Sequence, residues 1–135
     1  GTVDLPPQTQ IPIFAGGLVV GGRPPARTFF AFTETPVWEK MEQRAAALAV
    51  QNIAITNEAT TPRVDAELVN SGVEAIRAVA VVAVLFSAEG NALAASRTVV
   101  DRIEKGSVVA IVFTWPEPLP DRVAKISIFP IAPRE

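Results

Sequence analysis

The longest uninterrupted apolar stretch of the chain covers residues 78–86, with the sequence AVAVVAVLF. It is far shorter than the roughly 20 residues that a helix needs to cross a bilayer, so it predicts no membrane span. Five of its nine residues are Val or Leu, and Val favours strands because it loses rotamer freedom in a helix. A strand that is apolar on both faces belongs in the middle of a sheet that is covered on both sides. We expect the opposing sheet on one side and the N-terminal part of the chain on the other.

A tight turn is predicted directly after this strand, at Glu89-Gly90-Asn91, because these residue types tolerate a positive φ. A second β-rich run comes after the turn. Residues 77–87 and 92–101 are therefore predicted to form an antiparallel hairpin.

Three further segments alternate between apolar and polar residues, which is the period of a half-buried strand. They are residues 62–72, 106–115 and 122–129. The residues predicted to face the core are Val64, Ala66 and Leu68 in the first segment, Val109, Ile111, Phe113 and Trp115 in the second, and Ala124, Ile126 and Ile128 in the third.

Residues 47–57 predict one more strand, but the apolar phase changes within it. The apolar residues fall at even positions first and at odd positions later: Leu48 and Val50, then Ile53 and Ile55. A one-residue bulge at Gln51-Asn52 would place them on a common face, because an inserted residue reverses the facing of the residues after it.

Proline separates the two ends of the chain from its centre. Six of the 12 prolines lie in the first 36 residues, and none lies between Pro62 and Pro116. Because proline removes a donor from the sheet ladder, continuous pairing is expected in the centre. We predict a β-sandwich domain in residues 47–135, preceded in residues 1–46 by an N-terminal arm or hairpin and a linker.

The N-terminal arm is predicted to contain two strands, in residues 10–22 and 26–34. Two strands cannot form a domain alone, so they complete a preceding sandwich, pack on the main one or pair with a sheet edge. Residues 39–47 have helix-forming composition and predict at most one short helix, of one or two turns.

The amino-acid composition limits the kinds of binding site and active site that the chain can form. Hydrophobic residues make up 49% of the chain and charged residues 19%, below the roughly 25% typical of soluble domains, which indicates a dense core or a covered apolar face. The net charge of −2 argues against a nucleic-acid partner. Without Cys and His, the usual metal and haem ligand sets and the common nucleophile–His pairs cannot form. We predict no catalytic residue, no cofactor and no metal.

Three features of residues 47–130 together resemble those of a known family. A hydrophobic strand ends in Leu85-Phe86, a glycine-containing turn and a strand come next in SAEGNALAASRTVVDRI, and another turn-bounded strand lies in EKGSVVAIVFTWPEP. In these features the chain resembles the small extracytoplasmic, immunoglobulin-like β-sandwiches called FxLYD-type, with Ala83 in place of the first Phe and Ser87 in place of the Asp.

The whole chain also resembles the C-terminal part of uncharacterised, membrane-anchored bacterial proteins that carry two such sandwiches in tandem. The resemblance implies an all-β, antiparallel, immunoglobulin-like sandwich outside the cytoplasm. It further implies a place at the cell surface, held by an anchor that lies in a segment absent from this chain, and no known catalytic residues.

Glycine pairs and carboxylate pairs are further candidate sites. The glycines at 16, 17, 21 and 22 lack the spacing of a phosphate-binding loop and predict flexible loops. Two carboxylate pairs could support glycosidase chemistry if they flanked a cleft: Glu117 with Asp121, and Asp65 with Glu67. Their sequence contexts, a proline-rich loop and a solvent-facing strand, favour solvated surface charges instead.

Aromatic residues form the one candidate interaction surface. Its members are Phe29, Phe30, Phe32, Trp38 and Trp115. They could stack on a sugar or bind a protein. The alternative, which we favour, places Trp115 in the core and uses the N-terminal aromatics to dock the arm on the sandwich.

These observations predict a non-enzymatic structural or protein-interaction module on the cell surface. Its partner is expected to be a protein, either another copy or a neighbouring domain. One alternative is a fibre or surface-assembly subunit that exchanges its N-terminal strands with a neighbour. Another is a carbohydrate-binding module that uses an exposed Trp.

Overall fold

The chain folds into two antiparallel sheets in a computed structural model that describes residues 5, 8, 10–18, 21–22, 26–31, 34–35, 37 and 47–133. Its six strands are β1 (Leu48–Thr56), β2 (Arg63–Asn70), β3 (Ile76–Phe86), β4 (Ala92–Ile103), β5 (Val108–Thr114) and β6 (Lys125–Ile131). One sheet has the order β1-β2-β5 and the other β4-β3-β6. The described residues contain no helix, and hence none long and apolar enough to cross a membrane. The predicted all-β, antiparallel sandwich is confirmed.

The apolar core lies between the two sheets, with β5 beside β4 and β1 beside β6. The alternation predicted for β2 and β5 is confirmed, since the inward residues of both strands pack in this core. The buried core residues are Val64, Ala66, Leu68, Val79, Val81, Ala83, Leu85, Ile103, Ile111 and Phe113. In β6, Ile126 and Ile128 pack against the core as predicted, whereas Ala124 precedes the strand and is exposed.

Strand β3 is the central strand of its sheet, as its two apolar faces predicted. Its outer face is largely covered too: Val82 is only 2% exposed, and Val84 and Phe86 are half-buried. The ammonium group of Lys125 lies 5.7 Å from the centre of the Phe86 ring. The expectation that the N-terminal part of the chain covers this face stays a prediction.

The hairpin between β3 and β4 turns where the sequence indicated. Gly90 has a φ of 83°, and the Ser87 N–H donates to the carbonyl of Asn91 at 2.9 Å to close the turn. The hydroxyl of Ser87 also donates to the Glu89 carboxylate at 2.8 Å. The predicted hairpin and its turn are confirmed.

Strand β1 contains the predicted bulge. Gln51 lies opposite Glu67 and Ala54 opposite Asp65, so β1 holds one more residue than β2 over this span. Asn52 adopts a φ of 52°, which turns the backbone at the insertion. Ile55 packs against the core as predicted, but Ile53 is 41% exposed because it lies in the bulge itself.

The N-terminal segment differs from its prediction. The described residues of the two predicted strands, 10–18, 21–22, 26–31 and 34, form no strand. Pro12 and the paired glycines interrupt the first of these runs, and a strand needs a neighbouring edge that local sequence cannot supply. The predicted helix falls in residues 39–46, outside the described residues; Ala47, the last residue of its range, is not helical.

Candidate interaction surface

Within the described part of the chain, each sheet leaves two strands with an unpaired edge: β1 and β5 in one, β4 and β6 in the other. An unpaired edge offers a row of backbone N–H and C=O groups to any other extended chain. Proteins commonly block such edges with charged residues, proline or a bulge. The four edge strands can therefore be compared by these features.

Strands β1 and β6 are both blocked. The bulge at Asn52 breaks the regular spacing of backbone groups along β1. Strand β6 begins with the charged Lys125 and contains Pro130, which has no N–H to offer. A regular ladder cannot extend along either strand.

Strand β4 is blocked by charge and by a side-chain contact. Its exposed positions include Arg97 and Asp101. The indole N–H of Trp115 donates to the carbonyl of Ala95 at 3.2 Å, which occupies one acceptor of the edge.

Strand β5 carries none of these protections. Its sequence, VVAIVFT, has no charged residue and no proline. Its register with β2 runs without a shift from Val69–Val108 to Arg63–Thr114, so it has no bulge. Among the strands of the described part of the chain, β5 alone has an open edge of regular geometry.

The hydrogen bonds at the two ends of β5 identify the backbone groups that face outward. Asn70 N–H donates to the carbonyl of Ser107, and Trp115 N–H donates to the carbonyl of Pro62, both at 3.0 Å. Bonded and non-bonded pairs alternate in an antiparallel ladder, so the odd-numbered residues of β5 bond to β2. The even-numbered residues direct their N–H and C=O groups to the open side. We call these four residues the β5 edge: Val108, Ala110, Val112 and Thr114.

The side chains of the β5 edge lie on the outer face of the sheet, away from the core. Val108 and Val112 are 51% and 39% exposed, although both are apolar. On β2, Glu67 lies opposite Ala110 and Asp65 opposite Val112. The edge therefore presents an apolar row with carboxylates one strand behind it.

A buried asparagine fixes the beginning of β5. The Asn70 side chain is fully buried, and its amide N–H groups donate to the carbonyls of Glu74 at 2.8 Å, Glu104 at 3.2 Å and Ile103 at 3.3 Å. Its side-chain oxygen accepts the Gly72 N–H at 2.9 Å. These bonds join the β2–β3 loop to the turn from which β5 starts.

The chain enters the sandwich at this same end. The carbonyl of Ala47 accepts hydrogen bonds from the N–H of Ser71 at 2.7 Å and from its hydroxyl at 3.0 Å. A Cβ atom at Gly72 would lie 2.9 Å from the Cβ of Ala47, so only glycine fits there. The N-terminal segment is thus held against the β2–β3 loop where it joins β1.

The other end of the sandwich is closed by the proline-rich segment between β5 and β6. Leu119 and Val123 pack against the core from this segment. The Val123 N–H donates to the Glu58 carboxylate at 2.5 Å, and the Ala124 N–H donates to the carbonyl of Phe86 at 2.8 Å. Both ends of β5 are therefore anchored.

The structure does not gather the predicted aromatic residues into one surface. Phe29 and Phe30 are 84% and 94% exposed, whereas Trp115 packs against the core and is hydrogen-bonded to Ala95. Phe32 and Trp38 lie outside the described residues. Of the predicted set, two phenylalanines are available to solvent and Trp115 belongs to the packing of the sandwich.

The carboxylates of β2 lie on the outer face and accept hydrogen bonds. The Arg63 guanidinium bonded to Asp65 lowers the pKa of that carboxyl, with a contact of 2.6 Å between Arg63 Nη2 and Asp65 Oδ1. The side-chain amides of Gln51 and Asn52 donate to Glu67 at 2.9 and 2.7 Å and lower its pKa. Both carboxyls are ionised at neutral pH.

The other candidate groups show no built site. Glu117 and Asp121 are exposed in the β5–β6 segment, where Asp121 accepts the N–H of Arg122 at 2.7 Å. Within the described ranges, no group of three or more carboxylates is placed to hold a metal ion. None of the described glycines opens a helix, as a phosphate-binding loop requires.

The β5 edge was not among the residues singled out from the sequence. Its signal is nevertheless visible, because β5 is apolar at outward positions as well as inward ones and lacks any charge over seven residues. The sequence does not reveal that β5 lies at an edge, since that depends on the pairing order of the strands.

The chain was compared with models of protein families, with curated proteins and with solved structures, and it matches none of them.

Proposed function

We propose that this chain is a non-enzymatic β-sandwich module of the cell surface that serves as a structural or protein-interaction unit. The observation that carries the proposal is the open β5 edge. Outward backbone groups on a regular, uncharged edge strand are the feature to which an extended segment of another protein adds as a further strand. Main-chain hydrogen bonds then give affinity, and contacts with alternate side chains give specificity.

The anchoring of β5 supports this proposal. Asn70 holds the beginning of the strand, and the Trp115 N–H bonded to Pro62 holds its end. A strand fixed at both ends loses little conformational entropy when a partner binds, which favours affinity. The exposed Val108 and Val112 add apolar area that a partner can cover.

The chemistry of the carboxylates supports a non-enzymatic role. With no Cys and no His in the chain, acid–base catalysis would depend mainly on carboxyl groups and lysines. A carboxyl that acts as a general acid needs a raised pKa. In Asp65 and Glu67 the pKa is lowered by hydrogen-bond donors, which suits surface charges. The cell-surface location rests on the resemblance to FxLYD-type sandwiches.

Photo-crosslinking from the β5 edge tests the proposal. A photoreactive amino acid is placed at Ala110 of the full chain and, as a matched control, at Ala49. Ala49 is also an exposed alanine of the same sheet, but it lies on the bulged strand β1. On the surface of cells that produce the chain, we expect a protein to be crosslinked to position 110 and none to be crosslinked to position 49.

The partner identified by crosslinking is then purified on its own, and its binding to the chain without the photoreactive residue is measured. We expect Ala110→Lys to raise the dissociation constant at least about tenfold, because it places a charge on the edge. Ala49→Lys is expected to leave the dissociation constant unchanged. Equal effects of the two substitutions would contradict the proposal. Binding to a glycan array that is lost in Trp38→Ala would support the carbohydrate-binding alternative instead.

A further inference from the structure

We propose that the strand added at the β5 edge is residues 26–31 of a second copy of this chain. We call these residues, ARTFFA, the donor segment. The inference rests on the proposed function, because it names the partner of the same edge.

The donor segment is unpaired and apolar. It forms no strand or helix in the structure, and Phe29 and Phe30 are 84% and 94% exposed. Large aromatic side chains in water strongly favour burial. The segment carries a single charge, on Arg27, and no proline, so nothing in it opposes strand pairing.

The pattern of the donor segment matches the two sides of β5. Consecutive side chains of a strand point to opposite faces, so a strand beside β5 places Phe29 on one face and Phe30 on the other. One ring then lies beside the exposed Val108 and Val112 on the outer face. The other lies at the rim of the core, where β5 runs beside β4. Both rings are covered in either register.

The charges of the two surfaces are complementary. On the outer face of β2, next to β5, Asp65 is paired with Arg63, so the negative charge there comes mainly from Glu67, whose partners are the neutral amides of Gln51 and Asn52. The donor segment carries Arg27 and no acidic residue. Opposite charges favour the encounter of the donor segment with this face.

A second copy fits better than the same chain. One copy contains both the donor segment and the β5 edge, yet its Phe29 and Phe30 remain in solvent. A neighbouring copy brings a further donor segment that can bury its two rings at the β5 edge.

The test combines the mass in solution with complementation between two variants of the full chain. Light scattering coupled to size exclusion is expected to give multiples of 14.3 kDa as the concentration rises. We expect Phe30→Lys in the donor segment and Ala110→Lys in the β5 edge each to raise the dissociation constant at least about tenfold. Ala49→Lys is expected to leave it unchanged.

The decisive step mixes the two defective variants. Phe30→Lys keeps an intact β5 edge, and Ala110→Lys keeps an intact donor segment, so the mixture regains one working interface between copies. We expect a mixed complex of one copy of each variant, seen by native mass spectrometry, although each variant alone is a monomer.

Two outcomes would overturn the inference. The first is a chain that stays monomeric at every concentration; if Phe30→Lys then also lowers its thermal stability, the donor segment packs on its own copy. A mixture that forms no complex, although the unmodified chain associates, would exclude donor–edge exchange. If a different purified protein still binds and Ala110→Lys abolishes that binding, the proposed function stands without this partner.

Discussion

Strands β1 and β5 flank the same central strand, β2, but they end the sheet in opposite ways. Along β1 the register with β2 shifts between Gln51 and Ala54, whereas along β5 all seven residues pair with β2 in one register. Two polar side chains of β1, Gln51 and Asn52, donate to Glu67 on the neighbouring strand. The corresponding β5 neighbour of Glu67 is Ala110, which has no side-chain donor.

This difference teaches that one inserted residue decides whether an edge can accept another strand. Both strands lack charged residues, so composition alone does not separate them. The bulge twists β1 and disrupts the row of backbone groups that a partner would need. Strand β5 keeps that row intact and is held at both ends, which makes it the better acceptor.

The largest expected effect concerns the anchor of β5. We expect Asn70→Ala to lower the free energy of unfolding by about 2–4 kcal/mol, because buried carbonyls lose their donor and a cavity remains. Urea unfolding measures this change. Asn91→Ala, at an exposed asparagine in the β3–β4 turn, is the matched control and is expected to cost less than about 0.5 kcal/mol.

Hydrogen exchange measured in Asn70→Ala then shows whether the substitution destabilises β5 more than β1. The side chain of Asn70 bonds the carbonyls of Ile103 and Glu104, just before β5. Amide exchange is expected to accelerate more at Val109 than at Thr56, in the distal half of β1, since both residues lie in bonded pairs with β2. Equal acceleration at both positions would mean that Asn70 stabilises the whole sandwich and does not anchor β5 in particular.

An intermediate effect concerns the bulge of β1. Asn52 has a φ of 52°, a conformation that costs roughly 1–2 kcal/mol for a residue with a Cβ atom and nothing for glycine. We therefore expect Asn52→Ala to be less stable than Asn52→Gly by about 1 kcal/mol. Both variants lose the amide that donates to Glu67, so their difference isolates the backbone.

Position 49 provides the control for the bulge, since Ala49 lies in the regular half of β1. There the order reverses, and glycine is expected to be less stable than alanine by about 0.5–1 kcal/mol. Thermal unfolding of the variants measures both differences. The same sign at positions 49 and 52 would contradict a left-handed backbone at Asn52.

Much of the fold was predictable because its signals are local. The alternation of Val64, Ala66 and Leu68 identified the inner face of β2, and the glycine of the turn identified the β3–β4 hairpin. Even the bulge was predicted, because an insertion leaves its mark in the phase of neighbouring apolar residues.

The open edge was not predictable, because it depends on contacts that are remote in sequence. The alternation of β5 places the side chains of Val108 and Val112 on the outer face, but that their backbone groups lie at an open edge follows only from the strand order, in which no strand lies beyond β5 in the described structure. The burial of Asn70 depends on equally remote contacts, since its partners Ile103 and Glu104 lie more than thirty residues away in the sequence. The N-terminal strands failed as predictions for the same reason, because strand propensity does not supply a partner.

The smallest expected effect is the part of the pH dependence of stability that comes from Glu67 and its hydrogen-bond partners on β1. The amides of Gln51 and Asn52 lower the pKa of Glu67 below the ordinary value of 4.5. A carboxyl whose pKa is lower in the folded state stabilises the fold above its unfolded pKa, and this stabilisation is lost as the pH falls through the lowered value. Removing one amide in Gln51→Ala should therefore reduce the loss of stability on acidification.

Urea midpoints measured between neutral pH and about pH 3 test this dependence. The advantage of the unmodified chain over Gln51→Ala is expected to be present at neutral pH and to vanish below the lowered pKa of Glu67, once the carboxyl is protonated. Asp65 also titrates in this range, but its partner Arg63 lies on β2 itself and is unchanged in the variant. The control is Ala110→Ser on the β5 side, which should leave the pH profile as it is. If Ala110→Ser changed the profile as much as Gln51→Ala, Glu67 would be coupled to both edges, and the two sides of the sheet would not differ electrostatically.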